Sequence, residues 1–440
     1  MSAPSVENGS SGANGFPGEM RRGPNILLIL LLGYLFLFIF RPFELYDWLA
    51  DFHLERTYMI GLLLCTLFFP KNGRVINPYT GALLFFFFAM CLSAFFAYDP
   101  DIAWEQTGEY SKLMIFYVVI LLSVQSRRDL RIFLSAFVVV MAIYVGKSLW
   151  EFFMYGRHII RMDTLRLLAV GRTYADPNSF AASILYSLPV AVALFRTHRG
   201  RSGRLMLAGY GLLALVALVL TGSRGGMLGF LFYLTVLWVR QRRKLLFGIM
   251  AMILVLGTWI FMPETYHERM LTMVDSSINR SATVSAHGRI KGLRNGVNLF
   301  FLAPLTGFGP GNYDRVVSRV GEYSQKKPHN LYGQILSEMG LAGLIPFCWL
   351  AVLLLLTPRM MRNQSPGFDN KAARKDFSYQ MAVACQEVTL ILLFMGNVSH
   401  NLFRYNWVIM AAVAGLCLQY AGERAENGAP TPASGAVTYP

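Results

Sequence analysis

The sequence predicts an all-α polytopic membrane protein, and three observations predict it. The 440-residue chain is 55% hydrophobic and only 15% charged, with a mean hydropathy of +0.43, more apolar surface than one soluble core can hide. Its apolar residues come in continuous runs. Lipid satisfies no backbone polar group, so spans are helices or a closed barrel, and unbroken apolarity excludes the barrel. Lys and Arg, finally, gather in alternate connections between the runs, the pattern of cytoplasmic loops.

Runs suited to ~30 Å of hydrocarbon lie near 26–40, 57–69, 80–97, 113–124, 131–151, 179–195, 205–220, 227–239, 245–262, 330–356, 380–398 and 405–420, about twelve spans in all. Several are short and need help from flanking residues. The basic connections hold Arg21 and Arg22, then Lys71 and Arg74, then Arg127, Arg128 and Arg131. Arg196, Arg199, Arg201 and Arg204 follow, then Arg240, Arg242, Arg243 and Lys244, and last Arg359, Arg362, Lys371, Arg374 and Lys375. Both termini are therefore expected inside. Residues 1–24 and 421–440 read as disordered cytoplasmic tails flanking a membrane domain over 25–420, with a large outer loop at 263–329. The first run ends at Arg41-Pro42 without a small-residue cleavage pattern and reads as a retained anchor.

The formal charge of +15 reports topology. Its basic residues flank loops and do not line one stripe with interleaved aromatics, so nucleic acid is not an expected partner. Cys65, Cys91, Cys348, Cys385 and Cys417 all fall within predicted spans, where free thiols act as small hydrophobes.

With this topology the outward loops are 41–56, 98–112, 152–178, 221–226, 263–329 and 399–404, and three polar constellations share their face. In Gly171-Arg172-Thr173-Tyr174-Ala175-Asp176-Pro177-Asn178-Ser179, Asp176 or Asn178 can cap the helix that follows. In Thr221-Gly222-Ser223-Arg224-Gly225-Gly226, read as a polar hairpin, glycines let backbone approach a ligand and the guanidinium fork suits two phosphate oxygens. Snorkelling of Arg224 to headgroups is the structural alternative. In Lys326-Lys327-Pro328-His329-Asn330, His329 is placed at or just before a helix N-terminus, where the macrodipole favours the neutral imidazole, a proton acceptor. Arg289 and Arg294 in the long loop share this side. Together these residues offer guanidiniums to neutralise a diphosphate leaving group and an imidazole to take a proton from an attacking hydroxyl.

Arg289, the segment Pro304-Leu305-Thr306-Gly307-Phe308-Gly309-Pro310-Gly311-Asn312, and His329-Asn330 followed by Glu338-Met339-Gly340-Leu341-Ala342-Gly343 complete an ordered set over roughly 170–350. This set resembles the O-antigen ligase superfamily: lipopolysaccharide O-antigen ligases, O-antigen and exopolysaccharide polymerases, and some protein O-oligosaccharyltransferases. The resemblance implies a GT-C-like, metal-independent, inverting glycosyltransferase of the bacterial inner membrane with a periplasmic site. It implies that Arg172, Arg224, Arg289 and Arg294 bind the diphosphate of an undecaprenyl-linked glycan donor. His329 would orient or deprotonate an acceptor hydroxyl on lipid A core, glycan or protein, with Asp176, Asn178, Asn330 and Glu338 supporting. No cofactor is implied.

Other features keep two readings. Asp99-Pro100-Asp101 has the spacing of a divalent-ion ligand pair and also of turn chemistry. Glu338 either tunes the site or locks helix packing, and His400, Asn401 and Arg404 either line the cavity or anchor the interface. Ile290, Leu293, Val297, Phe300 and Phe301 recur at helical spacing beside Arg289 and Arg294 and predict an amphipathic helix, a lid or a peripheral helix. A transporter of lipid-linked glycans is the alternative from another class, with buried Glu338 and Glu387 as its only sequence support.

Overall fold

Three helices begin with an Asn or Asp cap followed by proline, and these starts fix much of the topology. The computed structural model describes residues 25–69, 75–161, 164–171, 173, 175–271, 280–319, 329–364 and 376–428. In chain order the elements are α1 (Ile26–Phe40), α2 (Asp47–Ala50), α3 (Leu54–Phe68), α4 (Pro78–Phe95), α5 (Pro100–Ser123) and α6 (Arg127–Tyr155). Strands β1 (His158–Arg161) and β2 (Thr164–Leu167) follow, then α7 (Pro177–Thr197), α8 (Arg201–Leu220), α9 (Arg224–Arg240), α10 (Lys244–Ile260) and α11 (Glu264–Leu271). The chain continues through α12 (Arg280–Leu302), α13 (Tyr313–Arg319), α14 (Leu331–Gln364), α15 (Phe377–Met395) and α16 (Tyr405–Gly428). Asn77, Asp99 and Asp176 cap α4, α5 and α7, each with proline at the first helical position, where its missing N–H and fixed φ cost nothing.

Among the described residues the fold is all-α apart from one hairpin. Among the described residues seven helices are long and apolar enough to cross a membrane, or eight if α10 and α11, bent by 117°, form one span. The larger number expected from sequence includes shorter helices: α3 has 15 residues and α9 and α10 have 17 each. At ~1.5 Å per residue these reach only about 22–26 Å, less than the hydrocarbon thickness.

Three local expectations are corrected. Residues expected as loop from 98 to 112 form the first half of α5, because Asp99-Pro100 starts a helix there and Ala103, Thr107, Tyr110, Met114 and Tyr117 bury one face at helical spacing. The expected loop 152–178 contains the β1–β2 hairpin, whose antiparallel register pairs His158 with Leu167 and Arg161 with Thr164. Its inner face is Thr164 and Arg166, while Leu165 points out. At the C-terminus α16 runs to Gly428, past residue 421 where a tail was expected to start; residues 1–24 and 429–440 lie outside the described residues.

Among the described residues the main apolar cluster is drawn from α1 and α3–α9 with α14, α15 and α16, and two smaller ones gather Leu299 with Tyr313, Val316 and Val317, and Met262 with Tyr266 and Met270. Among the described residues Glu338 and Glu387 are buried carboxylates, and both are engaged in holding elements together. Glu387 on α15 pairs with Arg240 of α9 at 3.3 Å and accepts a hydrogen bond from Tyr233. Glu338 holds the turn before α13. α14 is broken at Gly340, which takes φ 56 and ψ −149, and the 304–309 segment fills the break. Leu341 and Ala342 donate to the carbonyls of Pro304 and Leu305, while Phe308 and Gly309 donate to those of Ser337 and Glu338, all at 2.9 Å. The polar groups freed by the break are thereby satisfied within protein, the condition for irregular backbone at membrane depth. Gly307 has φ 65, and a Cβ there would collide with the Glu338 carbonyl carbon.

The long segment from 263 to 329 contains the expected helix, α12, but it packs by the opposite face. Ile290, Leu293 and Phe301 are exposed, whereas Gly292, Asn295, Gly296 and Leu299 are buried. A Cβ on Gly333 of α14 would lie 2.5 Å from the Gly292 carbonyl oxygen, and one on Gly296 would overlap the Gly333 backbone. Two backbones meet here without side chains between them, the small-residue packing that suits helices in lipid.

Gly296→Val should therefore lower the stability of the detergent-solubilised protein by about 1–3 kcal/mol through overpacking, while Ile290→Ala on the outward face should stay within about 0.5 kcal/mol. Paired thermal melts followed by size exclusion check this; equal melting points for the two variants would contradict the glycine contact.

Candidate functional site

The α8–α9 turn has three residues, Thr221, Gly222 and Ser223. The Ser223 hydroxyl accepts the Gly226 N–H at 3.1 Å, so the helix begins at Arg224 itself and the expected polar hairpin is shorter than the sequence suggested. Gly225 and Gly226 are helical and serve close approach. A Cβ on Gly226 would meet Ala181 of α7 at 2.8 Å, and one on Gly225 would meet Val398 at 3.2 Å. Arg224 thus stands half-buried at the first position of α9, against the start of α7 and the connection between α15 and α16.

Two arginines that the sequence reading did not single out hold this turn. Arg166, 1% exposed on β2, donates through Nε to the Thr221 carbonyl at 2.7 Å and through Nη2 to Asn178 Oδ1 at 2.9 Å. Arg269 of α11 donates through Nε to the Gly222 carbonyl at 2.7 Å and through Nη1 to the Arg161 carbonyl at 3.2 Å. Asn178 Oδ1 also accepts from the Ser223 hydroxyl at 2.9 Å. Tyr266 donates to the Leu165 and Leu220 carbonyls, tying α11 to both strand and turn. Asp176 caps α7 by accepting from the N–H groups of Asn178 and Ser179 at 3.0 and 3.1 Å. Thr164 and Arg166 share one strand face, the reverse of the side that a polar–apolar alternation would turn inward, so the sequence carries no signal for a buried Arg166.

These side chains concentrate positive charge. Burial pushes the Arg166 guanidinium down to about 10, with the charges of Arg269, Arg161 and Arg224 pushing the same way and Asp176 opposing. Burial also lowers Arg289, followed by the charge of Arg224. An arginine near 10 is still cationic at neutral pH, so the cluster remains charged. Arg289 belongs to it through α12: Arg289, Gly292 and Gly296, spaced by three and seven, share the face turned toward Gly333 at the start of α14. Arg294 is exposed and lies about 140° further round that helix. Arg172, with Lys326 and Lys327, lies outside the described residues.

His329 lies just before the Asn330 cap of α14 and takes φ 44, a left-handed conformation that costs a non-glycine residue about 1–2 kcal/mol. Asn330 is the cap that follows, accepting from Tyr332 N at 3.0 Å and Gly333 N at 2.9 Å, so the expected placement of His329 at the helix start holds. The start of α14 is fastened to the end of α15. Leu331 N donates to the Gly396 carbonyl at 2.7 Å, Tyr332 Oη to that of Leu393 at 2.9 Å, and Asn330 Nδ2 to that of Asn397 at 3.4 Å. Beside it stands His400, Nδ1 to Nδ1 at 3.3 Å from His329. Val398, two residues before His400, is the side chain against Gly225, which links the histidines to the start of α9. Asn401 and Arg404 are buried in packing, Asn401 donating to Tyr186 Oη and the Leu392 carbonyl, Arg404 to Ser179 and Ser183.

Two residues lie apart from the arginines. Glu338, 2% exposed, accepts from Gln334 at 3.2 Å and from the backbone of Gly311 and Tyr313, a structural lock for the glycine-rich turn. Asp99 caps α5 and pairs with Arg315 of α13, the turn chemistry that sequence offered as one of its two readings.

This geometry sets cationic side chains from β2, α9, α11 and α12 beside an imidazole pair at one end of the bundle. Such a site can take an anion and a proton. Residues 209–348, which contain Arg224, Arg289, the glycine-rich turn and His329, match the O-antigen ligase family. This match supports placement in the O-antigen ligase superfamily and, generally, glycan transfer of the ligase or polymerase type. No curated protein matches the chain.

Arg166→Met should leave the Thr221 carbonyl and Asn178 without their buried donor and cost about 2–4 kcal/mol. Arg161→Ala, which leaves its own backbone carbonyl in place, should cost under about 1 kcal/mol. Thermal unfolding of the two purified variants distinguishes a turn held by Arg166 from one that is not.

Proposed function

We propose that this chain, a member of the O-antigen ligase superfamily through residues 209–348, transfers a glycan from undecaprenyl diphosphate to an acceptor hydroxyl, as in O-antigen ligation to lipid A core. The supporting observation is geometric: Gly225, beside Arg224, packs against Val398 two residues before His400, whose ring meets that of His329, and Gly292 on the Arg289 face of α12 packs against Gly333; the charge of Arg224 also bears on Arg289. In this reading Arg224 and Arg289 hold the diphosphate, with Arg172 and Arg294 as further contacts. His329 takes the acceptor proton. The hydroxyl oxygen attacks the anomeric carbon, the bond from that carbon to the phosphate oxygen breaks with its electron pair leaving on the diphosphate, and configuration inverts. Guanidiniums fixed before the reaction stabilise charge as it develops on the leaving oxygen without reorganising, so the reading is metal-independent. It also places the protein in the bacterial inner membrane as a GT-C-like bundle of about twelve spans, with the site facing the periplasm.

Buried arginine requires compensation near hydrocarbon, and a diphosphate supplies it. The chemistry is common to ligation onto lipid A core, polymerisation of a growing chain and transfer to a protein hydroxyl. Mass analysis of the glycoconjugate lost on deleting the gene identifies the acceptor, and loss of glycoprotein or long-chain polysaccharide in place of capped lipid A core would reassign it.

In membranes supplied with lipid-linked donor and acceptor, Arg224→Ala should reduce transfer by about 10²–10³-fold and His329→Ala by about 10²–10⁴-fold, with unchanged expression and membrane insertion. Wild-type turnover from either variant would remove the proposal. Activity should also survive a divalent-ion chelator within about twofold, since fixed cations do the charge stabilisation; a loss that added magnesium restores would show that a metal takes part.

A further inference from the structure

We propose that His400 is a positioning residue for His329, accepting the Nδ1 proton of His329 so that Nε2 is the nitrogen presented to the acceptor hydroxyl. The inference rests on the transferase reading above and adds to it the residue that selects the tautomer of the base. The two Nδ1 atoms are 3.3 Å apart and the ring centroids 5.2 Å apart, inclined at 60°. A contact between two ring nitrogens works only if one carries hydrogen and the other does not. If His400 donated, His329 would have its proton on Nε2 and no lone pair there for the substrate. With His329 as donor, its Nε2 is basic. Which nitrogen of a histidine acts is set by the bond the other one makes.

The pair also responds to the reaction in the right direction. As the acceptor O–H bond breaks, its proton passes to His329 Nε2, and the new oxygen–carbon bond forms while the diphosphate departs with its electron pair. His329 is then an imidazolium, and its Nδ1–H bond to His400 becomes charge-assisted, stronger than the neutral bond that preceded it. His400 thus helps more at the transition state than before it, which is what raises turnover.

The surrounding contacts separate this role from a structural one. The loop carrying His400 is held by its neighbours: Asn401 Nδ2 donates to the Leu392 carbonyl at 2.8 Å and Trp407 Nε1 donates to the Asn401 carbonyl at 3.0 Å. On the other side His329 is held by the Asn330 cap and the Leu331–Gly396 bond. Both backbones are fixed by contacts that do not involve the imidazoles, and the left-handed φ of His329 turns its ring toward a residue 71 positions away.

The experiment compares His400→Phe, which keeps a planar ring and removes the acceptor, with His400→Asn, whose Oδ1 can accept in place of Nδ1, and with His329→Ala. The expected result is a fall in kcat of about 10–100-fold for His400→Phe with donor KM within about threefold, and recovery to within about fivefold of wild type in His400→Asn. Should phenylalanine prevent folding, His400→Ala with added imidazole takes its place, and turnover should rise with imidazole concentration. Wild-type kcat in His400→Phe beside an inactive His329→Ala would overturn the inference and leave the transferase reading intact. Equal losses in His400→Phe and His400→Asn, or no response to imidazole, would also overturn it. Full activity in His329→Ala would remove the base itself.

Discussion

One end of the bundle depends on two backbone carbonyls, those of Thr221 and Gly222, each held at 2.7 Å by the Nε of a buried arginine. This arrangement answers a problem of electrostatics. Two like charges about 8 Å apart repel by about 2 kcal/mol at an effective dielectric near 20, so a group of arginines spreads unless something fixes each one. Here Arg166 and Arg269 spend their donors on the turn that precedes Arg224. Their hydrogen bonds tie the hairpin, α11 and the start of α9 into one unit, and the same charges make that unit attractive to an anion. The scaffold and the binding surface are built from the same residue type, used in two ways.

Glycine settles the distances. Gly225 and Gly226 let α9 start against α7 and the loop of Val398, and the Gly292/Gly296–Gly333 contact brings α12, with Arg289 on its inner face, against the helix that His329 precedes. A side chain at any of these positions would separate elements that the proposed chemistry needs close. Pre-organised electrostatics is sensitive to displacements of about 1 Å, so the stability of these contacts and the activity of the site are expected to move together.

Much of this was legible in the sequence, and the parts that were not share a cause. Asp176 announces itself because an Asx before an apolar run satisfies local backbone donors, a signal confined to a few residues, whereas Ser223, which caps α9 in the same way, was hidden in a stretch that reads as a polar hairpin. The placement of His329 ahead of its helix follows from the apolar run after it. Arg166 and Arg269 gave no such signal, since their partners lie 55 and 47 residues away, and His400 became interesting only when its ring was found beside one 71 residues distant. The inner face of α12 was assigned to the wrong side because a hydropathy pattern weighs bulk, and glycine has none; lipid-facing helices can carry bulky residues outward and small ones inward. Loop 98–112 was misread for a related reason: polar residues lower local hydropathy even where a cap and a proline start a helix.

The broken helix joins these observations. At Gly340 the ladder of α14 is interrupted, and the backbone of 304–309 replaces the missing partners. Glu338, two residues before the break, takes hydrogen bonds from Gly311 and Tyr313 on the far side of the same turn. The turn between α12 and α13 is therefore fastened at both ends to α14, and α12 cannot slide along α14 without breaking those bonds. Arg289, within α12, and His329, ahead of α14, are thus carried by two helices joined through backbone hydrogen bonds. A site that must keep a cation and a proton acceptor in register needs that kind of rigidity, and here it lies in the helix pair that carries the arginine and precedes the histidine.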